Sequence, residues 1–576
     1  MDLERLMSEH DPAAGRAKAE LLSYIEQVLD TFRDRFGFVH LNRPDPDLGV
    51  LDRERVARLI EAAGEKLAER CFAEAGQAHA NARGAMMLFR AVPGWNRDEV
   101  TQAIRQRTQI AIRAFGLLPL REGQAGRDEC YARYLLLRGY ERTGLQFAAQ
   151  RRSTEQAAVQ AALANLAQTA GFSDPTRLVW AMESELAARA ASHATSRAGD
   201  VTLTLVGEGL ESAVHASRNG TPLPSVPSAI KKSKTYTELR ARADELRAQF
   251  LRLRADFERL MVESEPFQSN ELAELATLPA LGQMLSRLVF RDAKNAFGLY
   301  DRERNGFTGP EGARVELAGE CFIAHPLDLE NARQLQSWQR EIVRRRIVQP
   351  FKQVFRETYT DSPHIRMAGQ ALAARAAGKW LNDRGWQMQL GDLPEQVQVV
   401  RPYAGSSVQA VITFDAPERL LAGKGDVELR MLAFRTLADR DEQPGRLAPS
   451  DIPARIRSET YRDADLLACE ALRGRIRMPS REVLARRAEM VAALAHVLPL
   501  RCVQVHETFA EVATDAATCT ISLVDAQVSG GDPSRITPSE RWSEAKDLYL
   551  PFPGSDDAIL AEAVHRIVWF CRHGRG

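Results

Sequence analysis

The residues best suited to chemistry lie in the segment 321–359. His325 and Asp328 follow the apolar residues CFIA, which are predicted to form a strand, and binding sites of open sheets often lie where strands end. An imidazole titrates near neutral pH, so His325 is a candidate general acid or base, and Asp328 could orient its ring. The alternative is that His325 and Pro326 form a turn that ends the strand, while Asp328 caps the next helix.

The same segment carries a concentration of positive charge. Residues 340–356 contain six basic residues and one acidic residue. Lys352 and Arg356 are four positions apart, so on a predicted helix they share a face that could bind a phosphate group. Glu357 beside them could serve as a catalytic carboxylate. Ion pairs between this helix and acidic neighbours would account for the same residues without any ligand.

A second polar cluster lies in SETYRDADLLACE, residues 458–470. Arg462 is a further candidate for binding an anion, and Asp463 and Asp465 could together bind a divalent cation. Aspartates that precede an apolar helix also cap its N-terminus, which requires no ligand. Histidines and cysteines show no metal-binding spacing, so the sequence indicates no particular cofactor.

Established catalytic motifs are absent from the sequence. It contains no GxxxxGK[ST] loop, no GxGxxG turn after a strand, no HExxH pair and no GxSxG elbow. Basic and acidic residues number 77 each, and this zero net charge argues against a strongly basic nucleic-acid surface. Local basic runs at 231–254, 340–356 and 473–487 could still line one groove for nucleic acid.

The seven cysteines form no CxxC pair, so they are predicted to be reduced and mostly buried. The first residues, MDLERLMSEH, lack the apolar run of a secretory signal. No stretch reaches the roughly 18–20 apolar residues of a membrane span. These observations predict a cytoplasmic protein with no membrane partner.

Hydrophobic periodicity predicts a mixed, predominantly α-helical fold in four regions. Residues 1–195 are expected to form an irregular helical array. Residues 196–300 should contain a β-hairpin and a long, coiled-coil-like helical hairpin. Strand and helix patterns mix in residues 301–470, predicted to be an α/β core, and residues 471–576 are predicted to be α+β.

The long helix is the element that the sequence predicts most clearly. Thr235 and Glu238 have the spacing of a capping box. From Leu239 to Leu260, apolar residues recur every three or four positions over about three heptads. We therefore expect this helix to pack on a partner helix of the same chain.

Seven segments between residues 171 and 576 form an ordered series that is similar to a known family. They are GFSDPTRLVWAMESELA at 171–187, SVPSAIKKSKTYTELRARADELRAQFLRLR at 225–254, FIAHPLDL at 322–329, IVQPFKQVFRETY at 347–359, MAGQALAARAAGKWLNDRGW at 367–386, YRDADL at 461–466 and LPFPGSDDAILAEAV at 550–564. The series resembles the MolR-like family of bacterial proteins, named for a molybdate metabolism regulator. The C-terminal half of these proteins is a widespread domain of unknown function.

The resemblance implies no known catalytic activity. Some members of the family lie in gene groups with MoxR-type AAA+ ATPases and von Willebrand A-type proteins, which implies an adaptor or regulator in an ATPase-driven, defence-related system. Many members carry an N-terminal WGR module that resembles a DNA-end-sensing domain, but no Trp-Gly-Arg occurs here. The family's late Gly-Ser-Gly turn is also replaced, in the stretch TISLVDAQVSGG.

The leading prediction is therefore a regulatory or scaffolding protein that acts through protein–protein contacts, with an AAA+ ATPase as one possible partner. Two alternatives remain open from the sequence. One is an enzyme that acts on a phosphate-bearing substrate at residues 321–359. The other is a nucleic-acid-binding module.

Overall fold

The chain divides into two compact units, Met1–Arg189 and Ala190–Gly576. The structure, a computed structural model, describes residues 12–573 except for 36–47, 79–80, 145–148, 173, 192–193, 207–211, 268, 278, 305, 318, 361–370, 390–397, 438–445, 472–477, 499, 515–517 and 531–548. No helix among the described residues is long and apolar enough to cross a membrane. The predicted mixed, mostly helical α+β fold is confirmed, while the boundaries of the four regions stay a prediction.

The first unit consists of helices in its described part. They are α1 (Pro12–Arg35), α2 (Arg53–Ala63), α3 (Glu65–Ala75), α4 (Ala82–Ala91), α5 (Arg97–Arg105), α6 (Gln109–Leu117), α7 (Gly123–Gly144), α8 (Ala149–Ala170) and α9 (Pro175–Ala191). Their apolar faces meet in a core that includes Leu21, Ile25, Phe72, Leu88 and Phe89. Burial of these faces is what holds helices of this length in place.

Helices α6 and α8 pack with their backbones close together. A Cβ atom on Gly116 would lie 2.2 Å from the carbonyl oxygen of Ala162, so only glycine permits this approach. On α8, the Asn165 side-chain amide donates to the carbonyl oxygens of Gly49 and Arg113. These contacts fix the segment before α2 against the helical core.

The second unit opens with an antiparallel sheet and a long helix. The sheet contains β1 (Thr195–Ala198), β2 (Val201–Val206), β3 (Ala213–Arg218) and β4 (Thr221–Pro222). After α10 (Ser228–Lys231), the 30-residue helix α11 (Lys234–Glu263) packs Leu239 and Ala243 on this sheet. Its cap is Ser233, whose hydroxyl accepts from the Tyr236 N–H, two positions before the predicted capping box.

The rest of the second unit combines helices with antiparallel sheets. One sheet has the order β8-β7-β6-β5-β9, one the order β11-β12-β13-β15-β16 and one the order β17-β18-β19-β20, while β10 pairs with β14. The strands are β5 (Val289–Asp292), β6 (Phe297–Asp301), β7 (Gly306–Thr308), β8 (Arg314–Val315), β9 (Cys321–Ile323), β10 (Leu372–Ala373), β11 (Gln387–Gln389), β12 (Gln398–Tyr403), β13 (Val408–Phe414), β14 (Asp426–Val427), β15 (Leu429–Thr436), β16 (Arg446–Leu447), β17 (Val503–Val505), β18 (Phe509–Ala513), β19 (Thr518–Ser522) and β20 (Val528–Gly530).

Further helices cover these sheets. They are α12 (Ser269–Thr277), α13 (Pro279–Leu285), α14 (Pro326–Asn331), α15 (Leu335–Arg344), α16 (Ala374–Asp383), α17 (Pro417–Ala422), α18 (Ala454–Ala471), α19 (Arg481–Val497) and α20 (Ala558–His573). Helices α12 and α13, which follow α11 directly, have nine and seven residues, and α11 packs on β1–β3, β9, α13 and the 18-residue α18. The predicted partner helix is therefore α18, about 200 residues later in the chain.

The prediction that Lys352 and Arg356 lie on one helical face is wrong. Helix α15 ends at Arg344, Arg346 adopts a positive φ of 52°, and residues 345–360 form no helix. Pro350 also lacks the N–H that a continuing helix would need. The two side chains are consequently placed by contacts with distant parts of the chain.

Candidate functional site

The structure places all eight residues singled out from the sequence in the second unit. Seven of them are buried: His325, Lys352, Arg356, Glu357, Arg462, Asp463 and Asp465. The eighth, Asp328, is half-buried. Burial of so many ionisable groups is costly unless each one is paired or hydrogen-bonded, so their partners decide what the site can do.

His325 joins the end of β9 to the start of α14. The ring nitrogen Nδ1 of His325 accepts from the Leu327 backbone N–H at 3.2 Å. The backbone N–H of His325 donates to Asp328 Oδ2 at 2.9 Å, and the two hydrogen bonds together form a capping box. The ring's other nitrogen, Nε2, lies 3.0 Å from Glu459 Oε1. Because Nδ1 accepts, a neutral ring must carry its proton on Nε2 and donate to Glu459. Burial lowers the pKa of His325 and favours this neutral form.

Arg356 lies between two carboxylates. Its Nε and Nη2 donate to the two oxygens of Glu459 at 2.7 and 2.5 Å, and its Nη1 donates to Glu258 Oε1 at 2.5 Å. Burial would raise the pKa of Glu459, but Arg356 and His325 outweigh it and hold that pKa well below its usual range. Burial and nearby arginines likewise oppose each other at Glu258, where Arg356 and Arg254 bring the pKa to about 2. Both carboxylates therefore stay charged near neutral pH.

A second chain of ion pairs continues from Glu357. Its oxygens accept from Lys352 Nζ and, at 2.8 Å, from Arg462 Nε. Lys352 Nζ also donates to Asp557 Oδ2 at 3.1 Å, and Arg487 holds both oxygens of Asp557 at 3.0 and 2.9 Å. Burial opposes ionisation of Glu357, yet Lys352 and Arg462 depress its pKa far below the usual value.

The two chains of ion pairs form one electrostatic unit. Arg356 and Glu357 are neighbours in sequence, Glu459 and Arg462 lie one turn apart on α18, and Arg462 interacts with the charge of Glu459. We call this set the buried charge network and define it as Glu258, His325, Lys352, Arg356, Glu357, Glu459, Arg462, Arg487 and Asp557. All of these residues are buried except Glu258, whose side chain is 28% exposed at the edge of the network. The network joins α11, α14, α18, α19, the start of α20 and the segment 345–360.

Asp328 lies beside the network and has its own partners. Asp328 pairs with Arg291 at 3.0 Å and Arg455 at 2.7 Å, in addition to its part in the α14 cap. The Glu459 carboxylate, and not Asp328, contacts the His325 ring. The His325 backbone N–H donates to Asp328 Oδ2, so Asp328 takes part in the helix cap, as in the alternative that the sequence left open, although the N-cap residue itself is His325.

Asp463 and Asp465 lie within α18, not before it. They are two positions apart, so their side chains leave different sides of the helix. Asp463 Oδ2 accepts from Arg401 at 2.5 Å and from the Trp386 indole N–H at 2.8 Å, whereas Asp465 accepts from the Tyr359 hydroxyl at 2.7 Å. The structure thus does not bring the proposed metal ligands together. Within its described residues, no group of three metal-binding side chains occurs.

The cations of the network bind carboxylates from other elements of the second unit. The guanidinium of Arg356 already binds two carboxylates, and the ammonium of Lys352 binds two more. A phosphate group could reach them only by displacing these partners, and Lys352 and Arg356 themselves are 1% and 3% exposed. The ion-pair alternative from the sequence accounts for each of these contacts.

Sequence analysis did not identify several members of the buried charge network. Glu258 belongs to the charged side of the long helix, and Glu459 lies in the same SETYRDADLLACE segment as Arg462. Arg487 lies in the basic run 473–487, which was considered only for nucleic acid, and Asp557 lies in a segment that was noted only for the family resemblance. The one available signal was an acid and a base spaced three positions apart on α18, Glu459 and Arg462, which is a common pattern on any helix.

Several described members of the basic runs are also paired with acids. Arg240 and Arg247 contact Asp244, while Arg344 and Arg345 contact Glu341. Arg487 is buried against Asp557. Residues 473–477 lie outside the described residues. A nucleic-acid groove along these runs stays a prediction.

Comparison with known proteins finds two partial matches. Residues 220–386 match the model of a domain of unknown function, DUF4132, and residues 95–182 match that of a family of unknown function, DUF5724. The first match contains α11 and the segment with Lys352, Arg356 and Glu357, and the second spans α5 to α8. No curated protein matches the chain. No solved structure matches it either.

Proposed function

We propose that the protein is a cytoplasmic regulatory or scaffolding protein that acts by binding other proteins. One observation carries this proposal: the residue types best suited to catalysis are buried and paired with one another in the buried charge network. Groups arranged in this way stabilise a rigid body, which is what a binding protein requires. The finer expectation rests on the MolR-like resemblance, which suggests a MoxR-type AAA+ ATPase in a defence-related system as the partner.

A surface on α7 supports the same proposal. Leu135 and Leu136 are neighbouring large apolar side chains, each 39% exposed, and Ala125 and Ala132 are exposed on the same helix. Adjacent exposed apolar residues are more informative than single ones, because such patches often contact other proteins. We take this patch as the surface that a protein partner contacts.

The test is affinity capture of the full chain from its native cell. Wild-type protein should retain a partner in stoichiometric amount, and an AAA+ ATPase is the expected class. A double variant, Leu135→Asp with Leu136→Asp, should lose at least about tenfold in capture, since burying each new charge opposes binding. Leu251→Asp is the matched control, because Leu251 is an exposed leucine on α11. Repeated capture with no stoichiometric partner would contradict the proposal.

An enzyme acting on a phosphate-bearing substrate is the second candidate. It is favoured by one observation, the convergence of His325, Lys352 and Arg356 on a single network. Its test is calorimetric titration of the full chain with inorganic phosphate. Saturable binding that disappears in a folded Lys352→Met variant would support the enzyme, and the absence of binding would count against it.

A further inference from the structure

Two half-buried cysteines meet near the C-terminal end of the described chain. Cys502 directly precedes β17, the edge strand of its sheet, and Cys571 lies in the last turn of α20. Their Sγ atoms are 2.8 Å apart, about 0.8 Å more than the length of a disulfide bond. Both side chains pack against the core that α20 shares with this sheet.

We propose that Cys502 and Cys571 are a thiol–disulfide redox site, whose oxidised form fastens the end of α20 to β17. This inference is independent of the proposed function. The two residues are 69 positions apart, so no sequence motif indicates the pair. A bond across that separation restricts the unfolded chain, and the oxidised protein is therefore expected to resist unfolding better than the reduced protein.

The other cysteines are poorer partners for this reaction. Cys71, Cys130, Cys321 and Cys519 are buried. Cys519 lies close enough to Cys502 to interact with its charge and is therefore a competitor of Cys571. Burial and, to a smaller extent, the nearby Cys502 raise the pKa of Cys519. Thiol–disulfide exchange proceeds through the thiolate, so a raised pKa slows the reaction of Cys519. Cys571 is half-buried and its sulfur contacts that of Cys502, which makes it the partner of Cys502.

A small-molecule disulfide such as oxidised glutathione supplies the oxidant. One of the two cysteine thiolates attacks it, forming a mixed disulfide and releasing one glutathione thiolate. The second cysteine thiolate then attacks the protein sulfur of that mixed disulfide and releases the second glutathione. In total, two protein thiols become one disulfide, and one oxidised glutathione is reduced to two glutathione thiols.

The experiment counts thiols in the full chain before and after oxidation. Reduced protein is equilibrated with excess oxidised glutathione, quenched in acid, denatured and alkylated with a maleimide polymer that shifts the band on a gel. Wild type should fall from seven reactive cysteines to five. Mass spectrometry of the digest should find one cross-linked peptide pair, containing Cys502 and Cys571. The thermal midpoint should rise by several degrees on oxidation.

Matched serine variants identify the site. Cys502→Ser and Cys571→Ser should each form no internal cross-link. The cysteine that remains of the pair should end as a mixed disulfide with glutathione, so each variant should show five reactive cysteines and a glutathione adduct in place of the cross-linked peptide pair. Cys469→Ser changes a half-buried cysteine on α18 and should still form the cross-link, falling from six to four. Seven reactive cysteines in oxidised wild type, or a cross-link from Cys502 to Cys519, would overturn the proposal. Because the wild-type peptide map is decisive alone, a variant that fails to fold does not obscure the result.

Discussion

Buried arginines are used differently in the two units. In the first unit, Arg113 donates to the Leu48 carbonyl oxygen at 2.8 Å. Arg133 donates mainly to backbone, to the carbonyl oxygens of Phe115 and Leu118 at 3.1 and 2.6 Å, and it also pairs with one carboxylate, that of Glu129, at 2.5 Å. The oxygens of Phe115 and Leu118 lie at the end of α6, where a helix leaves carbonyl groups without internal partners. In the second unit, Arg356 binds two charged carboxylates instead.

This contrast predicts how far the effect of a substitution spreads. An arginine that binds backbone carbonyls satisfies neutral groups near its own helix, and its loss leaves those groups short of one donor. An arginine of the buried charge network balances carboxylates from other elements, and its loss leaves buried negative charge without compensation. The first unit should therefore respond locally, whereas the second should respond as a whole.

Arg356→Met should cause the largest loss of stability. It leaves Glu459 and Glu258 without their main cationic partner, and breaking a buried ion pair in this way costs about 3–5 kcal/mol. Denaturant unfolding followed by fluorescence and by circular dichroism measures the change. Arg240→Met is the control, since Arg240 belongs to an exposed ion pair with Asp244 and should cause little change. Equal losses in the two variants would contradict the role we assign to the network.

Arg133→Met should destabilise the first unit by a smaller amount, about 1–3 kcal/mol, because the groups left behind are neutral carbonyl oxygens and the half-buried Glu129, which keeps Arg97 as a partner. Hydrogen exchange measured by mass spectrometry should show faster exchange near the end of α6 and in α7. Arg127→Met on the exposed side of α7 is the matched control. Faster exchange throughout the second unit as well would remove the distinction between the two units.

Local pattern was enough to predict the long helix but not the irregular segment in the middle of the site. The stripe from Leu239 to Leu260 predicts α11, because helical periodicity is a property of neighbouring residues. Residues 345–360 also show helix-like spacing, yet long-range contacts override it. The side-chain amide of Gln353 bonds the backbone N–H and carbonyl oxygen of Val289 and the carbonyl oxygen of Ala324, so it bridges β5 and the end of β9.

Residue type in the sequence identified the candidate residues, but it did not identify the residues that they contact. His325, Lys352, Arg356 and Arg462 do converge on the network. Arg356 and Glu459 are 103 positions apart, however, and no feature of a single sequence records such a pairing. Residue type and spacing therefore located the charged centre, but could not distinguish a ligand site from internal ion pairs.

The smallest expected effect is a change in the pH dependence of stability, and it tests whether His325 is neutral. Burial lowers the pKa of His325 in the folded protein, so the unfolded chain binds more protons once the pH falls through its ordinary value of 6.5. The free energy of unfolding should accordingly decrease as the pH is lowered from about 7.5 to 5.5. The lowered pKa values of Glu459 and Glu357 mean that their ion pairs are lost only below pH 4.5, the ordinary pKa of a glutamate, which is outside this window.

His325→Asn keeps a side-chain acceptor for the Leu327 N–H at the start of α14, because asparagine is a favoured cap. This variant should be less stable than wild type and should show a shallower dependence on pH. His215→Asn changes an exposed histidine and should keep the wild-type slope. Parallel curves for wild type and His325→Asn would mean that the ring does not change its protonation on unfolding, and the tautomer assigned to the cap of α14 would then be wrong.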